Sequence, residues 1–237
     1  MKAFILAAGL GTRLFPYTSD RPKALVELNG TTLLERAILK VKELNVSEII
    51  VNIHHFGEQI VEFLEEKENF HLPIKISDEK DQLLDTGGAI LKARPLLGES
   101  EPFLVYNVDI LSSIDLNELS QFHFLKGGLA TMAVRDRMTD RYIVFNSEMI
   151  LSGWRNTKTG EEILVRNNTH LQNYAFSGIQ IIEPEVFSLI TETGKFSVIQ
   201  LYLRLAKQRT IYGFIDNSSL WMDLGKPEQL VAASKLM

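Results

Sequence analysis

The chemistry of this chain is concentrated just behind its first apolar run. Ala3-Phe4-Ile5-Leu6 leads into Ala7-Ala8-Gly9-Leu10-Gly11-Thr12-Arg13-Leu14, and Arg21-Pro22-Lys23 closes the stretch. Small residues and glycines let the backbone approach a ligand closely, and successive N–H groups in such a turn cradle phosphate oxygens. Arg13 and Lys23 bring positive charge to the same place. A buried strand, a glycine loop and two cations together point to a nucleoside triphosphate site. Two common glycine patterns fail. The dinucleotide fingerprint needs a third glycine where this chain has Leu14, and an acidic residue at the end of the next strand, where it has Asn52. The P-loop pattern Gly-x4-Gly-Lys-Ser/Thr is absent.

Two carboxylates complete the chemistry. Asp109 follows the apolar run Phe103-Leu104-Val105-Tyr106, and a carboxylate at the carboxyl end of a parallel strand faces the crevice where open α/β sheets bind ligands. Asp223 stands in Trp221-Met222-Asp223-Leu224-Gly225, after a late strand and turn. Mg²⁺ takes one or two carboxylates together with substrate phosphates and water, so a pair from distant segments suits it. Alone, either residue reads as a turn former or cap. Asp85-Thr86-Gly87-Gly88-Ala89 sets a glycine pair at a helix start, which permits close approach of a base or ribose, and Gln82 just before it can read a base edge. The adjacent His54 and His55 point to opposite sides of a strand end, and the remaining histidines have no ligand spacing. There are 0 cysteines, hence no thiolate site or disulfide framework.

The elements that must carry these residues alternate over the first half. Strands are expected at Ala3 to Leu6, Glu48 to Ile53, Ile74 to Ile76 and Phe103 to Tyr106. Helices are expected from a Thr31 or Thr32 cap towards Leu44, at Gly57 to Glu66, and from a Thr86 cap through Ala93. Such alternation implies an α/β fold, mainly a parallel sheet with helices on both faces. From Leu129 the pattern changes to strands at Leu129 to Val134, Tyr142 to Phe145, Met149 to Trp154 and Tyr174 to Ile182, with a turn at Asn156 to Gly160. These form a small antiparallel lobe. Helices at Glu183 to Ile190 and Ser197 to Ala206, a strand at Ile211 to Ile215 and a helix starting near Pro227 complete the chain.

At 237 residues and 45% hydrophobic, the chain suits one α/β domain, about 1–127 and about 128–237 forming its two halves. The net charge of -5 argues against nucleic acid or anionic membrane as partner. No run is long enough to span a membrane, no convincing cleavage site follows the short apolar start, and the cytoplasm is the expected location.

The segment from Leu6 to Lys23 resembles the signature of sugar-1-phosphate nucleotidyltransferases, L-A-A-G-x-G-T-R-L-x-P-x-T followed by P-K, matching through Pro16, Thr18, Pro22 and Lys23. The resemblance implies a Rossmann-like three-layer fold with a sugar-side lobe. It also implies transfer of a nucleoside monophosphate from an NTP to a sugar 1-phosphate, with release of pyrophosphate. Leu6, Ala7, Ala8, Gly9, Gly11 and Thr12 would wrap the nucleotide, with Gln82 and Gly87 beside the base. Arg13 would hold the β- and γ-phosphates, Lys23 the α-phosphate, and Asp109 and Asp223 the Mg²⁺. Arg13, Lys23 and Asp109 are the expected catalytic groups. Asn107 would contact the sugar phosphate and Gly178, in Phe176-Ser177-Gly178-Ile179, would make room for the sugar. Arg141, Tyr142 or Asn167 stands where relatives carry a Glu-x-Lys-Pro segment. Val108 replaces the glycine usual between Asn and Asp, and is strained there if that position needs a positive φ.

Within the family the pattern is most similar to small N-acetylmuramate 1-phosphate uridylyltransferases, with UTP as donor. Mannose- or heptose-1-phosphate guanylyltransferases share much of it. A catalytically silent sugar-nucleotide sensor is the alternative class, against which Arg13, Lys23, Asp109 and Asp223 all stand. A glycosyltransferase would carry Asp-x-Asp where this chain has Asn107-Val108-Asp109. A homo-oligomer is compatible with the resemblance.

Overall fold

The computed structural model describes residues 1–166 and 169–236. Its first half runs β1 (Lys2–Leu6), a short ribbon of β2 (Glu27–Leu28) and β3 (Thr31–Thr32), α1 (Leu33–Lys42), β4 (Ile49–Ile53), α2 (Gly57–Glu66), β5 (Ile74–Asp78), α3 (Asp85–Leu97), β6 (Phe103–Asn107), β7 (Ile110–Ser112) and α4 (Leu116–Lys126). The second half contains β8 (Ala130–Arg135), β9 (Arg141–Phe145), β10 (Leu151–Asn156), β11 (Glu162–Leu164), β12 (Gln172–Ile182), α5 (Val186–Leu189), α6 (Val198–Leu205), β13 (Ile211–Ile215), β14 (Trp221–Asp223) and α7 (Pro227–Ser234).

One sheet runs in the order β11-β10-β9-β12-β6-β1-β4-β5, with β8 on β12 and β13 on β8. The pairings β6-β1, β1-β4 and β4-β5 are parallel, and so is β13-β8, whereas β12 runs antiparallel to β6, β8 and β9. Alternation along the strands feeds two cores. Ala3, Ile5, Ile49, Val51, Leu104 and Tyr106 face one, and Phe4, Ile50, Phe103 and Val105 face the other. Both faces are therefore covered, which is why these strands read as continuous apolar runs. Thr32 caps α1 by accepting from the Glu35 N–H, as expected.

Several expectations change. Thr86 does not cap α3: Leu84 holds the cap position without a side-chain bond, and the Thr86 hydroxyl instead accepts from the Val198 N–H at 3.0 Å. The expected helix at Glu183 to Ile190 shortens to Val186–Leu189, behind Pro184. α4 lies where the sequence reading placed no element. Its Asp115 cap accepts from Asn117 and Glu118 N–H groups, but its apolar residues fall on more than one face, which hid the period. The β7–β14 ribbon was likewise unforeseen, because each strand has only three residues. Among the described residues no helix is long and apolar enough to cross a membrane.

Candidate active site

Three parallel strands end level with one another. Leu6, the last residue of β1, pairs with Asn52 of β4 on one side and with Asn107 of β6 on the other. The crevice beyond these ends is where ligands bind in open α/β sheets. The Asn52 Oδ1 accepts from the N–H groups of Ala7 (2.6 Å) and Ala8 (3.2 Å), which fixes the start of the glycine loop. Its Nδ2 donates to Glu79 Oε1 at 2.7 Å, and Glu79 Oε2 accepts from the Leu84 N–H at 2.9 Å. Glu79 is fully buried. A four-point bridge thus ties the glycine loop to the segment that enters α3.

The charged cluster forms on the other side of β1. Lys23 Nζ pairs with Asp109 Oδ2. A Cβ placed on Gly225 would lie 2.7 Å from Asp223 Oδ1, 3.0 Å from Arg13 Nη2 and 3.5 Å from Asp109 Oδ2, so all three groups converge on that glycine. The Gly225 N–H donates to Asp223 Oδ1 at 2.8 Å, and the Leu224 N–H donates to the Asp109 carbonyl at 2.8 Å, which locks the two acidic segments together. Burial, and then the neighbouring Asp109 charge, push the Asp223 carboxyl above the usual carboxylate range, while Gly225, Lys23 and Arg13 oppose the shift. Two carboxylates that repel one another, Asp109 buried and Asp223 half-buried, are a donor set suited to a hard divalent cation completed by phosphate oxygens. Among the described residues no cluster of three or more His, Cys, Asp or Glu side chains exists that could hold a metal without such help. Val108 has no positive φ, and its side chain is buried in the core, so it strains nothing beside Asp109.

The crevice holds two adjoining cavities. One of 330 Å³ is lined by Leu6, Ala8, Gly9, Lys23, Asn107 and Asp109, with Glu79, Thr86 and Lys195 among the remaining walls. The other, of 570 Å³, is bounded by Arg137, Arg141, Trp154, Phe176 and Gln180, with Leu6, Asp85, Thr86 and Asn107 shared between the two. A ligand pair can therefore meet at Asn107, beside Asp109.

The remaining expected residues take other places. Ala7 serves through its N–H to Asn52. Gly11 has φ 65, and a Cβ there would lie 2.9 Å from Thr18 Cγ2 and 3.0 Å from Lys23 Cβ, so it folds the loop onto the Lys23 segment. Thr12 and Arg13 lie in the exposed 3-10 turn that follows. Gly87 lines neither cavity. Its Cβ would lie 2.4 Å from the Phe196 ring and that of Gly88 2.3 Å from the Gly194 carbonyl oxygen, and both N–H groups donate to the Phe196 carbonyl. The glycine pair admits another stretch of this chain. Gln82 is exposed outside both cavities, and Leu83 lines the wall instead. Gly178 (φ 77) does not open onto the sugar-side cavity: a Cβ there would lie 3.0 Å from Asn107 Nδ2, so it makes room for Asn107. Arg141 does line that cavity; Asn167 is outside the described residues. Glu79, Lys195 and Arg137 escaped the sequence reading because each lies outside any motif.

The family model described as "Nucleotidyl transferase" matches residues 2–237. The N-acetylmuramate alpha-1-phosphate uridylyltransferase of Caulobacter vibrioides is 34% identical, over 98% of this chain and 94% of its own length. Mannose-1-phosphate guanylyltransferase 1 of Arabidopsis thaliana is 29% identical over 100% of the chain, which spans 64% of that longer protein. Among solved structures, a UDP-glucose pyrophosphorylase from Acinetobacter baumannii superposes with a TM-score of 0.81 at 19% identity, covering 98% of this chain and 91% of that one. That likeness extends to the fold.

Proposed function

From the premise that the chain belongs to the nucleotidyl transferase family, within which it is a sugar-1-phosphate nucleotidyltransferase, we propose that it transfers UMP from UTP to N-acetylmuramate 1-phosphate or a closely similar sugar 1-phosphate. The observation that carries the chemistry is the convergence of Arg13, Asp109 and Asp223 on Gly225, with Lys23 on Asp109, where Lys23 and Asp109 line the smaller cavity. The choice of substrates is supported by the similarity to the Caulobacter vibrioides uridylyltransferase, which extends over nearly the full length of both chains. A guanylyltransferase acting on mannose 1-phosphate is the second reading, favoured by the similarity to the Arabidopsis thaliana enzyme.

The sugar phosphate oxygen is already an anionic nucleophile, so the site needs no strong general base. It attacks the α-phosphorus in line and pyrophosphate leaves. Catalysis is then mainly positioning and electrostatic stabilisation. The glycine loop supplies backbone N–H groups to the nucleotide, Lys23 meets charge near the α-phosphate, and Arg13 meets the leaving oxygens. Asp109 and Asp223 would hold Mg²⁺, which when bound neutralises phosphate charge that two approaching anions bring together.

The test is pyrophosphate release with Mg²⁺, running UTP, GTP, dTTP and CTP against N-acetylmuramate, mannose, glucose and heptose 1-phosphates. Release with UTP and N-acetylmuramate 1-phosphate, abolished by EDTA, is expected. Preference for GTP with mannose 1-phosphate would replace the first reading by the second.

A further inference from the structure

The nucleotide side of the crevice is supplied with cations by Lys23, Arg13 and Lys195, and Lys23 is already paired with Asp109. A sugar 1-phosphate brings its own phosphate dianion from the opposite side and needs a counter-charge there. Three arginines cluster at that end. Arg135 is engaged, pairing with Asp216 at 2.7 Å and donating to Ser218. Arg141 sits on the exposed outer wall of the cavity. Arg137 differs from both.

Its guanidinium lies 4.1 Å from the centre of the Trp221 ring, a cation–π geometry that holds the plane of the fork. Trp221 is itself fixed, its indole N–H donating to the Ser177 carbonyl at 2.9 Å. One Nη donates to the Phe176 carbonyl at 3.2 Å and the other to the Met138 carbonyl at 3.4 Å, while the buried Nε has no acceptor. No carboxylate among the described residues lies within ion-pair distance of Arg137, yet it feels the charge of Asp223, two residues along the strand from its platform. Burial pulls the guanidinium below its ordinary value, and an arginine so placed remains charged. A half-buried guanidinium that lines the larger cavity, with two neutral carbonyls and an aromatic ring as its partners, carries a charge that an anion in that cavity would meet.

We propose that Arg137, held on Trp221, is the residue that binds the phosphate of the incoming sugar 1-phosphate and aligns it with the α-phosphorus. The assignment rests on the sugar-1-phosphate reading of the site. It gives the ribbon of β7 and β14 a role beyond bringing Asp223 beside the Asp109 turn: the same ribbon sets the arginine that opposes them.

Steady-state kinetics of the full chain with UTP and N-acetylmuramate 1-phosphate test this, comparing wild type with Arg137→Ala and Arg137→Lys. Loss of a charge-assisted contact should raise KM for the sugar phosphate by about tenfold to a hundredfold in Arg137→Ala, with KM for UTP within about twofold by the same reasoning. Arg137→Lys should recover part of the loss, as should added guanidinium ion with Arg137→Ala, which a purely structural role does not allow. An unchanged sugar-phosphate KM in an active Arg137→Ala enzyme overturns the proposal alone. So does an equal rise in both KM values without guanidinium rescue. Wild type that uses none of the sugar 1-phosphates overturns the functional reading, and this proposal with it.

Discussion

The bridge from the glycine loop through Asn52 and Glu79 to Leu84 can be reversed in polarity without losing a hydrogen bond. Asn52→Asp keeps the acceptor for the Ala7 and Ala8 N–H groups but sets a second carboxylate against Glu79, at the present 2.7 Å. With an effective dielectric of about 20, two charges at that distance repel by about 6 kcal/mol. Taking up a proton at pH 7.5 instead costs about 4 to 5 kcal/mol for a carboxyl of ordinary acidity. The pair therefore takes the proton, and the variant should be destabilised by about 4 kcal/mol at pH 7.5. The folded pair binds more protons than the unfolded chain, so this deficit shrinks by about 1.4 kcal/mol for each pH unit of acidification. Glu79→Gln alone turns an amide N–H towards either Asn52 Nδ2 or the Leu84 N–H, a loss of about 1 to 3 kcal/mol. In the double variant every partner is restored: the new carboxylate accepts from the Ala7 and Ala8 N–H groups and from the new side-chain amide, whose oxygen accepts from the Leu84 N–H. Urea unfolding of all four proteins at pH 7.5 and pH 6 measures the cycle, and the double variant should lie within about 2 kcal/mol of wild type. A double variant as unstable as the two single losses added together would refute the reasoning, as would an Asn52→Asp deficit that ignores pH.

Lys23→Ala and Asp109→Asn should each lower turnover by about two or more orders of magnitude, with circular dichroism melts showing the chain still folded; near-wild-type turnover in either would remove them from the chemistry. Gly88→Ala drives a Cβ to within 2.3 Å of the Gly194 carbonyl oxygen, backbone that cannot swing aside. It should cost about 3 kcal/mol in a urea titration, against little change for Gly9→Ala, where no atom lies within 4 Å of the new Cβ. His123 is fully buried between Thr131 and Glu183, and burial holds its imidazole below the usual range despite the Glu183 charge. The unfolded chain then binds the proton more readily, so folding stability should fall as pH drops through the ordinary histidine range near about 6.5. Urea midpoints at pH 7.5 and pH 5.5 should show that slope diminished in His123→Gln.

The parallel half of the sheet was legible because each strand is buried on both faces, and its apolar run is bounded by polar turns. The residues proposed to meet phosphate and metal were legible for a different reason: a long local spacing carries the glycine loop and both cations, and short acidic contexts mark Asp109 and Asp223. Gly87 and Gly178 misled, since a glycine announces close approach without saying what approaches. In one case it is the Phe196 segment and in the other the Asn107 side chain. Arg137 and Lys195 were invisible because their importance depends on strands and loops folded beside them from elsewhere in the chain. Val108 needed only the backbone to be seen: its φ is ordinary and its side chain joins the core.

The strand Gln172–Ile182 bears on how the molecule can be taken apart. It pairs with Phe103–Asn107 and also with the strands Ala130–Arg135 and Arg141–Phe145 of the second half. A fragment ending near residue 127 would leave the Phe103–Asn107 margin without its neighbour, an open apolar template for aggregation. The two cavities are thus distinct, but the halves that line them are not separately expressible modules. Recombining halves from different relatives must graft the seam between these two strands, whichever specificity is sought.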